Sequence, residues 1–271
     1  MSLPPTSALA AERLTIEFGG VKAVQDVSFA AKPGEIFAII GPNGAGKTTL
    51  FNLLSGIYVP RSGRVLLGGA DVAGEAPHRL AQRGLSRTFQ NLQIFLRMSA
   101  AENVMVGRHL HEQRNVFAHL LALPGVWRQN RETRRQAEDL LERVGLGNLS
   151  SRPARALPYG ALKRLEIARA LAAEPKVLLL DEPAAGCNAV ETRELEAIIR
   201  GIARDGITVV LVEHDMRLVM DLSDRIHVLA NGRTLAQGTA DEVRANPAVI
   251  EAYLGTHGAQ KTASEAARAR D

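Results

Sequence analysis

Cysteine is almost absent from this chain, which contains a single one, Cys187, among its 271 residues. One cysteine excludes an internal disulfide framework and a zinc site built from several thiolates. Aromatic residues are scarce at 4%, and no apolar run approaches the roughly 18 residues that a membrane-spanning helix needs. The first ten residues also lack the basic start and the apolar stretch of a secretory signal peptide. Together these absences predict a cytoplasmic protein without a membrane-spanning helix.

The rest of the composition is typical of a globular protein. Hydrophobic residues make up 46% and charged residues 23%, which excludes a disordered or fibrous chain. The 33 Lys and Arg residues against 29 Asp and Glu give a net charge of +4, with both signs spread along the chain. This balance does not indicate a nucleic-acid-binding surface. The length suits one domain, or one domain with an inserted lobe.

Two kinds of apolar pattern alternate along the chain and predict an α/β fold. Short apolar runs bounded by Gly, Pro or charged residues indicate strands buried in a parallel sheet. These runs are Glu35–Ile40, Val177–Leu180, Thr208–Val212 and Arg225–Leu229. The helical patterns between them are Lys47–Ser55, Leu162–Ala172, Glu191–Arg204 and Met216–Leu222. Looser alternation at Leu14–Phe18 and Val24–Ala30 predicts an antiparallel sheet at one side of the core.

The middle of the chain carries most of the helical signal and predicts an inserted helical lobe. We expect one domain over residues 9–255, with the lobe at about 90–172 and flexible ends at 1–8 and 256–271. An apolar stretch, Val116–Trp127, precedes four arginines between positions 128 and 135. We interpret this stretch as a helix packed on its own lobe, with an exposed docking helix as the alternative.

The most specific motif is a glycine-rich phosphate loop. Residues 41–48 read GPNGAGKT and match G-x-x-x-x-G-K-[ST] between the strand EIFAII and a helix, which is the context the motif requires. Backbone N–H groups and the helix N-terminus would hold phosphate oxygens. Lys47 would contact the β- and γ-phosphates of ATP, and the Thr48 hydroxyl would bind Mg²⁺. The residues expected to bind the nucleotide in this loop are Gly41, Pro42, Asn43, Gly44, Ala45, Gly46, Lys47, Thr48 and Thr49.

A second element is the apolar run Lys176–Pro183, which ends in two carboxylates. Asp181 at the carboxyl end of this strand is predicted to bind Mg²⁺. Glu182 would then polarise the water that attacks the γ-phosphate. The two motifs together predict hydrolysis of ATP with Mg²⁺.

The order of the motifs resembles that of the ATP-binding cassette family. Beside the phosphate loop and VLLLDEP, the motifs are Gln90 in SRTFQN, LPYGALKRLEIARAL at Leu157–Leu171, and His214 in VEHD. The resemblance covers about Leu14–Gly255. The segments RTFQN, LPYG, LEIARAL, DEPAAG, LVEHDM and AYLG are closer still to the ATPases of branched-chain amino acid importers.

The resemblance implies a P-loop NTPase fold of the cassette type, with a mostly parallel sheet core, an antiparallel β subdomain and an inserted helical subdomain. It implies that two such ATPases, as a homodimer or heterodimer, sandwich each nucleotide between one phosphate loop and the other chain's signature motif, here Leu157–Ala161. Gly160 would therefore contact the phosphate in trans through its backbone, because Pro158 and Ala161 replace the Ser and Gln common in the family.

Four further residues receive roles from the resemblance. Gln90 would contact Mg²⁺ or the attacking water, and His214 would contact the γ-phosphate. Phe18 matches the aromatic residue that stacks on adenine, and a place in the core is the equal alternative. Asn188, where the family often has Asp, would keep a hydrogen bond across the dimer without the charge.

The expected partners are ATP, separate integral-membrane permease subunits, a second ATPase and, indirectly, a periplasmic solute-binding protein. The ATPase would lie at the cytoplasmic face of the inner membrane. Branched-chain or other hydrophobic amino acids are the favoured solutes; urea, amides, aromatic acids and lipopolysaccharide export remain alternatives. A DNA-clamping ATPase is disfavoured, because no sustained heptads lie between the nucleotide motifs. No nucleic-acid partner is expected.

Overall fold

The computed structural model describes residues 7–109 and 124–253, and for residues 124–129 it describes the backbone only. Among the described residues, those up to Pro77 together with those from Val210 onward form one compact unit. Residues His78–Val209 form the other. We call these the first and the second unit. The organisation as a single domain over residues 9–255 stays a prediction.

The first unit contains an antiparallel sheet. Its strands are β1 (Leu9–Phe18), β2 (Val21–Ala31), β4 (Ser62–Leu67) and β5 (Ala70–Asp71). They lie side by side in the order β2–β1–β4–β5. The register of β1 and β2 runs from Leu9 opposite Ala31 to Phe18 opposite Val21, which confirms the predicted antiparallel pairing. Both strands are longer than predicted, and the backbone N–H of Ala8 already donates to the carbonyl of Ala31 at 2.9 Å.

A second group of strands in the first unit carries the parallel pairing. Strand β3 (Ile36–Ile40) is buried along its whole length and pairs in parallel with β9 (Arg225–Ala230). Strand β10 (Arg233–Gly238), which the sequence analysis did not predict, returns antiparallel to β9. The helices of this unit are α1 (Lys47–Leu54), α7 (Met216–Leu222) and α8 (Ala240–Ala245). Strand, loop and helix α1 follow one another as the phosphate-loop motif requires.

The second unit combines a short parallel pair of strands with helices. Strand β6 (Leu85–Arg87) pairs in parallel with β7 (Val177–Asp181). The helices are α3 (Ala100–Gly107), α4 (Pro124–Arg143), α5 (Tyr159–Leu171) and α6 (Ala189–Arg204), with short 3-10 turns at Gly147–Leu149 and Ala154–Ala156. Helix α2 (Pro77–Gln82) and the buried strand β8 (Thr208–Val212) span the boundaries between the two units. The predicted α/β class is confirmed.

The helices α3, α4 and α5 form the apolar core of the second unit. Val104, Leu141 and Leu165 are fully buried in it, one from each helix. Helix α5 begins at Tyr159, three residues before the predicted start, because Pro158 in extended conformation forms its N-cap. No helix of the described residues is long and apolar enough to cross a membrane.

Several predictions fall on residues that the structure does not describe. Most of the apolar stretch Val116–Trp127 belongs to this group, so its packing stays a prediction. The predicted flexible end at 256–271 and most of the one at 1–8 lie there too.

Candidate functional site

The phosphate loop connects β3 to α1 in the first unit. Gly46 is the N-cap of α1 and has a φ of 98°, in the left-handed region that favours glycine. A Cβ atom at this position would lie 2.4 Å from the carbonyl oxygen of Ala23, so no other residue fits. No side chain caps α1, and its first turn contains no acidic residue. The positive end of the helix dipole therefore faces the loop without a carboxylate of its own, which suits an anion.

Lys47 lies inside this loop. Its ammonium group donates hydrogen bonds to the carbonyl oxygens of Gly41, at 2.7 Å, and Pro42, at 3.0 Å. The backbone N–H of Gly41 hydrogen-bonds the hydroxyl of Tyr253, and burial raises the pKa of that hydroxyl to about 12. Tyr253 therefore stays protonated and fixes the start of the loop, a contact that the sequence analysis missed. The only signal for it was the segment AYLG near the chain end.

Phe18 is the last residue of β1 in the first unit, and much of its surface is exposed. Its ring is 47% exposed and meets the ring of Tyr58 edge-on, at 5.3 Å between centroids. This exposure speaks against the core alternative, because a core phenylalanine of this unit such as Phe29 is 1% exposed. The stacking of Phe18 on adenine stays a prediction.

His214 follows β8 and is also exposed, with 66% of its side chain accessible. Its backbone N–H donates to the carboxylate of Glu213 at 3.0 Å, and that carboxylate is 1% exposed. The side chain of Asp215 caps α7 by accepting from the N–H groups of Arg217 and Leu218. The backbone around His214 is thus fixed on both sides, while its imidazole is directed outward. Glu213 was not among the predicted residues.

The second unit places Asp181 in a buried ion pair. The guanidinium of Arg87 contacts the Asp181 carboxylate at 2.8 Å, and the two side chains are 8% and 4% exposed. Parallel pairing explains this contact, because β6 and β7 end at the same edge and bring these residues together. The hydroxyl of Thr88 also accepts the backbone N–H of Asp181 at 3.3 Å. Arg87 was missed by the sequence analysis, although it stands directly before the TFQN segment.

Glu182 lies next to Asp181 and has an unusual backbone. Its φ of 47° is in the left-handed region, which is costly for a residue with a side chain and is often found at functional sites. The side-chain amide of Gln90 donates to the Glu182 carboxylate at 3.4 Å. The structure therefore brings together two predicted residues that are 92 positions apart in sequence.

Gly160 lies in the first turn of α5, as the signature motif requires. A Cβ atom there would lie only 2.3 Å from a carboxylate oxygen of Glu191. Any other residue at this position would therefore displace the Glu191 side chain. Glu191 is held in place by the N-cap of α6, since its carboxylate accepts the N–H of Asn188 at 2.9 Å. The Asn188 side chain accepts the N–H groups of Val190 and Glu191 in return. In this chain Asn188 thus caps a helix, and its contact across a dimer stays a prediction.

Sequence comparison identifies two family profiles in the chain. The ABC transporter profile matches residues 24–185, and a profile described as branched-chain amino acid ATP-binding cassette transporter matches residues 233–259. The second match covers β10, α8 and the AYLG segment near the chain end.

Individual relatives match over nearly the whole chain. The high-affinity branched-chain amino acid transport ATP-binding protein BraF of Pseudomonas aeruginosa is 45% identical over 89% of this chain and 95% of its own length. Its counterpart LivG of Escherichia coli is 44% identical over 91% and 97%. The lipopolysaccharide export system ATP-binding protein LptB of Haemophilus influenzae is 32% identical over 92% and 98%.

Solved structures are similar as well. A nucleotide-free ATP-binding cassette from an ABC transporter superposes with a TM-score of 0.80 at 30% identity, covering 91% of this chain and 98% of that one. An ADP conformation of an ATP-binding cassette gives the same score and identity, over 92% and 99%.

Proposed function

Because the chain belongs to the ABC transporter family as an ATPase subunit, we propose that it energises an importer of branched-chain or other hydrophobic amino acids. Membership of this family confirms the predicted P-loop NTPase fold and ATP hydrolysis as its chemistry. The observation that carries the proposed solute is the 45% identity with BraF over most of both chains. LptB is less similar, at 32%, so lipopolysaccharide export is the second candidate.

In this proposal the phosphate loop binds the nucleotide, and Glu182 activates the attacking water. Backbone N–H groups at the start of α1 and the Lys47 ammonium bind the phosphates and stabilise the charge that develops on them. Glu182 polarises the attacking water and accepts its proton. Gln90 holds the Glu182 carboxylate by the hydrogen bond at 3.4 Å, and His214 contacts the γ-phosphate.

Mg²⁺ fits the chemistry of the proposed ligands. Thr48, Gln90 and Asp181 offer a hydroxyl, an amide and a carboxylate oxygen, which are the hard donors that Mg²⁺ prefers. The described residues contain no group of three or more His, Cys, Asp or Glu side chains arranged for a metal. Phosphate oxygens and water would therefore supply the other ligands. When bound, the ion neutralises charge on the β- and γ-phosphate oxygens.

A second ATPase subunit completes each site in this proposal. Helix α5 begins without a side-chain cap and without an acidic residue in its first turn, so the positive end of its dipole at Gly160 suits the γ-phosphate of the partner's nucleotide. The arrangement is reciprocal, as expected for two copies around a twofold axis. The second subunit is another copy of this chain or a related ATPase.

Permease subunits are the proposed membrane partners, with the ATPase bound at the cytoplasmic face of the membrane. The segment after Gln90 supports a docking surface, because it exposes several large apolar side chains in the second unit. These are Phe95, at 47% exposure, Leu96, at 52%, and Met98, at 37%. A periplasmic solute-binding protein would act through the permeases rather than on this chain.

The Glu182→Gln variant tests the proposed chemistry. It keeps the shape of the side chain but removes the carboxylate, so ATP turnover should fall by about 100-fold or more. Because the nucleotide then persists, the variant should form a dimer in size-exclusion chromatography with Mg-ATP and stay monomeric without it. The control is Glu174→Gln, which makes the same change at a side chain that is 59% exposed. Turnover of Glu182→Gln at the parental rate would refute the role of Glu182.

The solute is tested in proteoliposomes that contain the ATPase together with candidate permease subunits. We expect ATP-dependent uptake of labelled leucine or valine when the cognate binding protein is added. Uptake of urea, an amide or an aromatic acid instead would replace the proposed solute and leave the ATPase assignment intact. ATP-dependent release of lipopolysaccharide would establish the second candidate.

A further inference from the structure

Helix α5 carries two buried charged residues that the proposed chemistry does not use. Lys163 and Glu166 are each 3% exposed, and a spacing of three residues puts them on one face of the helix. Building on the proposed function, we infer that both are positioning residues, which attach the Glu182 and Gln90 segments to the helix that begins with the signature motif.

Lys163 contacts the backbone of Glu182. Its ammonium group donates to the Glu182 carbonyl oxygen at 3.3 Å and lies over the ring of Tyr159, at 5.8 Å from the centroid. A left-handed non-glycine residue is strained and persists only where the surrounding structure fixes it. The contact with Lys163 fixes the peptide plane that follows Glu182, and with it the direction of the carboxylate.

Glu166 holds the segment that contains Gln90. Its carboxylate accepts the backbone N–H of Phe89 at 3.4 Å and also accepts the N–H of Gln93. The two contacts lie on either side of Gln90 and limit the movement of its backbone. Arg169, one turn further along α5, donates to the carbonyl oxygen of Gln93 and anchors the same segment.

The burial of both charges argues against a purely structural role. Burial raises the pKa of Glu166, whereas the N–H groups of Phe89 and Gln93 and the charges of Lys163 and Arg169 act in the opposite direction. Replacing two buried opposite charges together by apolar side chains is often neutral or stabilising for a fold. Stability alone therefore does not require a lysine and a glutamate here, whereas precise placement of two loops does.

The consequence is a link between the two nucleotide sites of the dimer. The first turn of α5 carries Gly160, the contact to the partner's nucleotide, and the next two turns hold the Glu182 and Gln90 segments of the same chain. A rigid helix transmits a shift at Gly160 to both segments. Binding of ATP at one site would thus align the hydrolytic side chains at the other.

Lys163→Met tests the first contact, because methionine keeps the length of the stem and removes the ammonium group. We expect kcat to fall about 10-fold or more while the KM for ATP changes by less than about twofold. Because the change leaves Glu166 buried with one cation fewer, the thermal midpoint should fall somewhat, so kcat is measured well below the midpoint of the variant. Lys163→Arg, which restores a donor, should recover most of kcat. The matched control is Arg164→Met, whose guanidinium pairs with Glu194 instead, and its kcat should stay within about twofold of the parent.

Glu166 is tested by a similar pair of variants. Glu166→Leu removes the acceptor for the N–H groups around Gln90 and should lower kcat by about 10-fold. Glu166→Gln keeps an acceptor oxygen and should restore kcat. A thermal midpoint that falls in parallel with kcat, without rescue by glutamine, would show that Glu166 is only structural.

A double variant decides whether Lys163 acts through Glu182. Residues that act as one unit are non-additive, so Lys163→Met should cause no further loss in the Glu182→Gln background, measured by single turnover of radiolabelled ATP. An additional loss of about 10-fold would overturn the inference. If Glu182→Gln is impaired and Lys163→Met is fully active, the inference alone is wrong. Parental turnover by Glu182→Gln would instead refute the proposed function.

Discussion

The phosphate loop and the Gln90–Glu182 cluster show two ways of building a site. The loop uses nine consecutive residues, 41–49, and acts mainly through backbone geometry, with Gly46 held against Ala23. The cluster depends on contacts between distant segments, such as Gln90 with Glu182 and Arg87 with Asp181, which are 92 and 94 positions apart in sequence, and several of its side chains are buried charges. Binding a phosphate thus needs only a short segment of defined conformation, whereas aligning a carboxylate needs the packing of a whole unit.

The two units also respond differently to pH. His227 in the first unit is buried against the rings of Phe29 and Phe37, and burial lowers its pKa from 6.5 to about 4, assisted by Arg225. Its neutral form stabilises the fold above pH 6.5, and this contribution is lost as the pH falls towards 4. Glu166 in the second unit has a raised pKa through burial, so its contribution is lost as the pH rises above the ordinary value for a carboxyl group. His227 and Glu166 therefore respond to pH in opposite directions.

The largest effect should come from Lys47→Ala, which tests whether backbone geometry alone makes the loop functional. The variant keeps the loop but loses the ammonium group, so nucleotide affinity should fall and hydrolysis should drop about 1000-fold, or about 4 kcal/mol. Titration with a fluorescent nucleotide and a phosphate-release assay measure both effects, with the exposed Lys22→Ala as control. Unchanged hydrolysis would show that the backbone of the loop is sufficient and that the Lys47 ammonium group is not required.

Arg87→Met tests the buried charges of the second unit. Removal of one partner leaves the Asp181 carboxylate buried without its ion pair, so the free energy of unfolding should fall by about 3 kcal/mol. Urea denaturation measures the change. The control is Arg134→Met, which breaks an exposed pair with Glu138 on α4 and should cost about 0.5 kcal/mol or less. Equal effects of the two variants would contradict the difference drawn between buried and exposed charges.

His227→Asn should have the smallest effect and concerns only the pH response. Between pH 7.5 and 5 the parent should lose about 2 kcal/mol of unfolding free energy through this residue, given a pKa of about 4 in the fold. The variant begins at a lower stability, because asparagine makes fewer contacts with the rings of Phe29 and Phe37, but its curve should be flatter. Urea midpoints across this range test the difference, and the exposed His78→Asn should follow the parent curve.

Elements with a strong local sequence signal lie where the sequence predicts them. Strands β7, β8 and β9 and helices α1 and α7 begin and end within a residue or two of the prediction, because each is a dense apolar run between Gly, Pro or charged residues. Strand β6 has three residues and β10 is only half-buried, so neither carries a periodic pattern long enough to detect. The early start of α5 depends on Pro158, which no apolar period reveals.

The sequence by itself determined the phosphate loop, the paired carboxylates at the end of β7 and the family of the protein, because each depends on residue types at fixed short spacings. Only the tertiary structure revealed Arg87 on Asp181, Tyr253 on Gly41, and Lys163 and Glu166 on the Glu182 and Gln90 segments. The physical reason is the distance along the chain between the residues that interact. A turn or a helix end is fixed by neighbours within a few residues, whereas a buried charge is stable only beside a partner that the fold brings from a distant part of the chain.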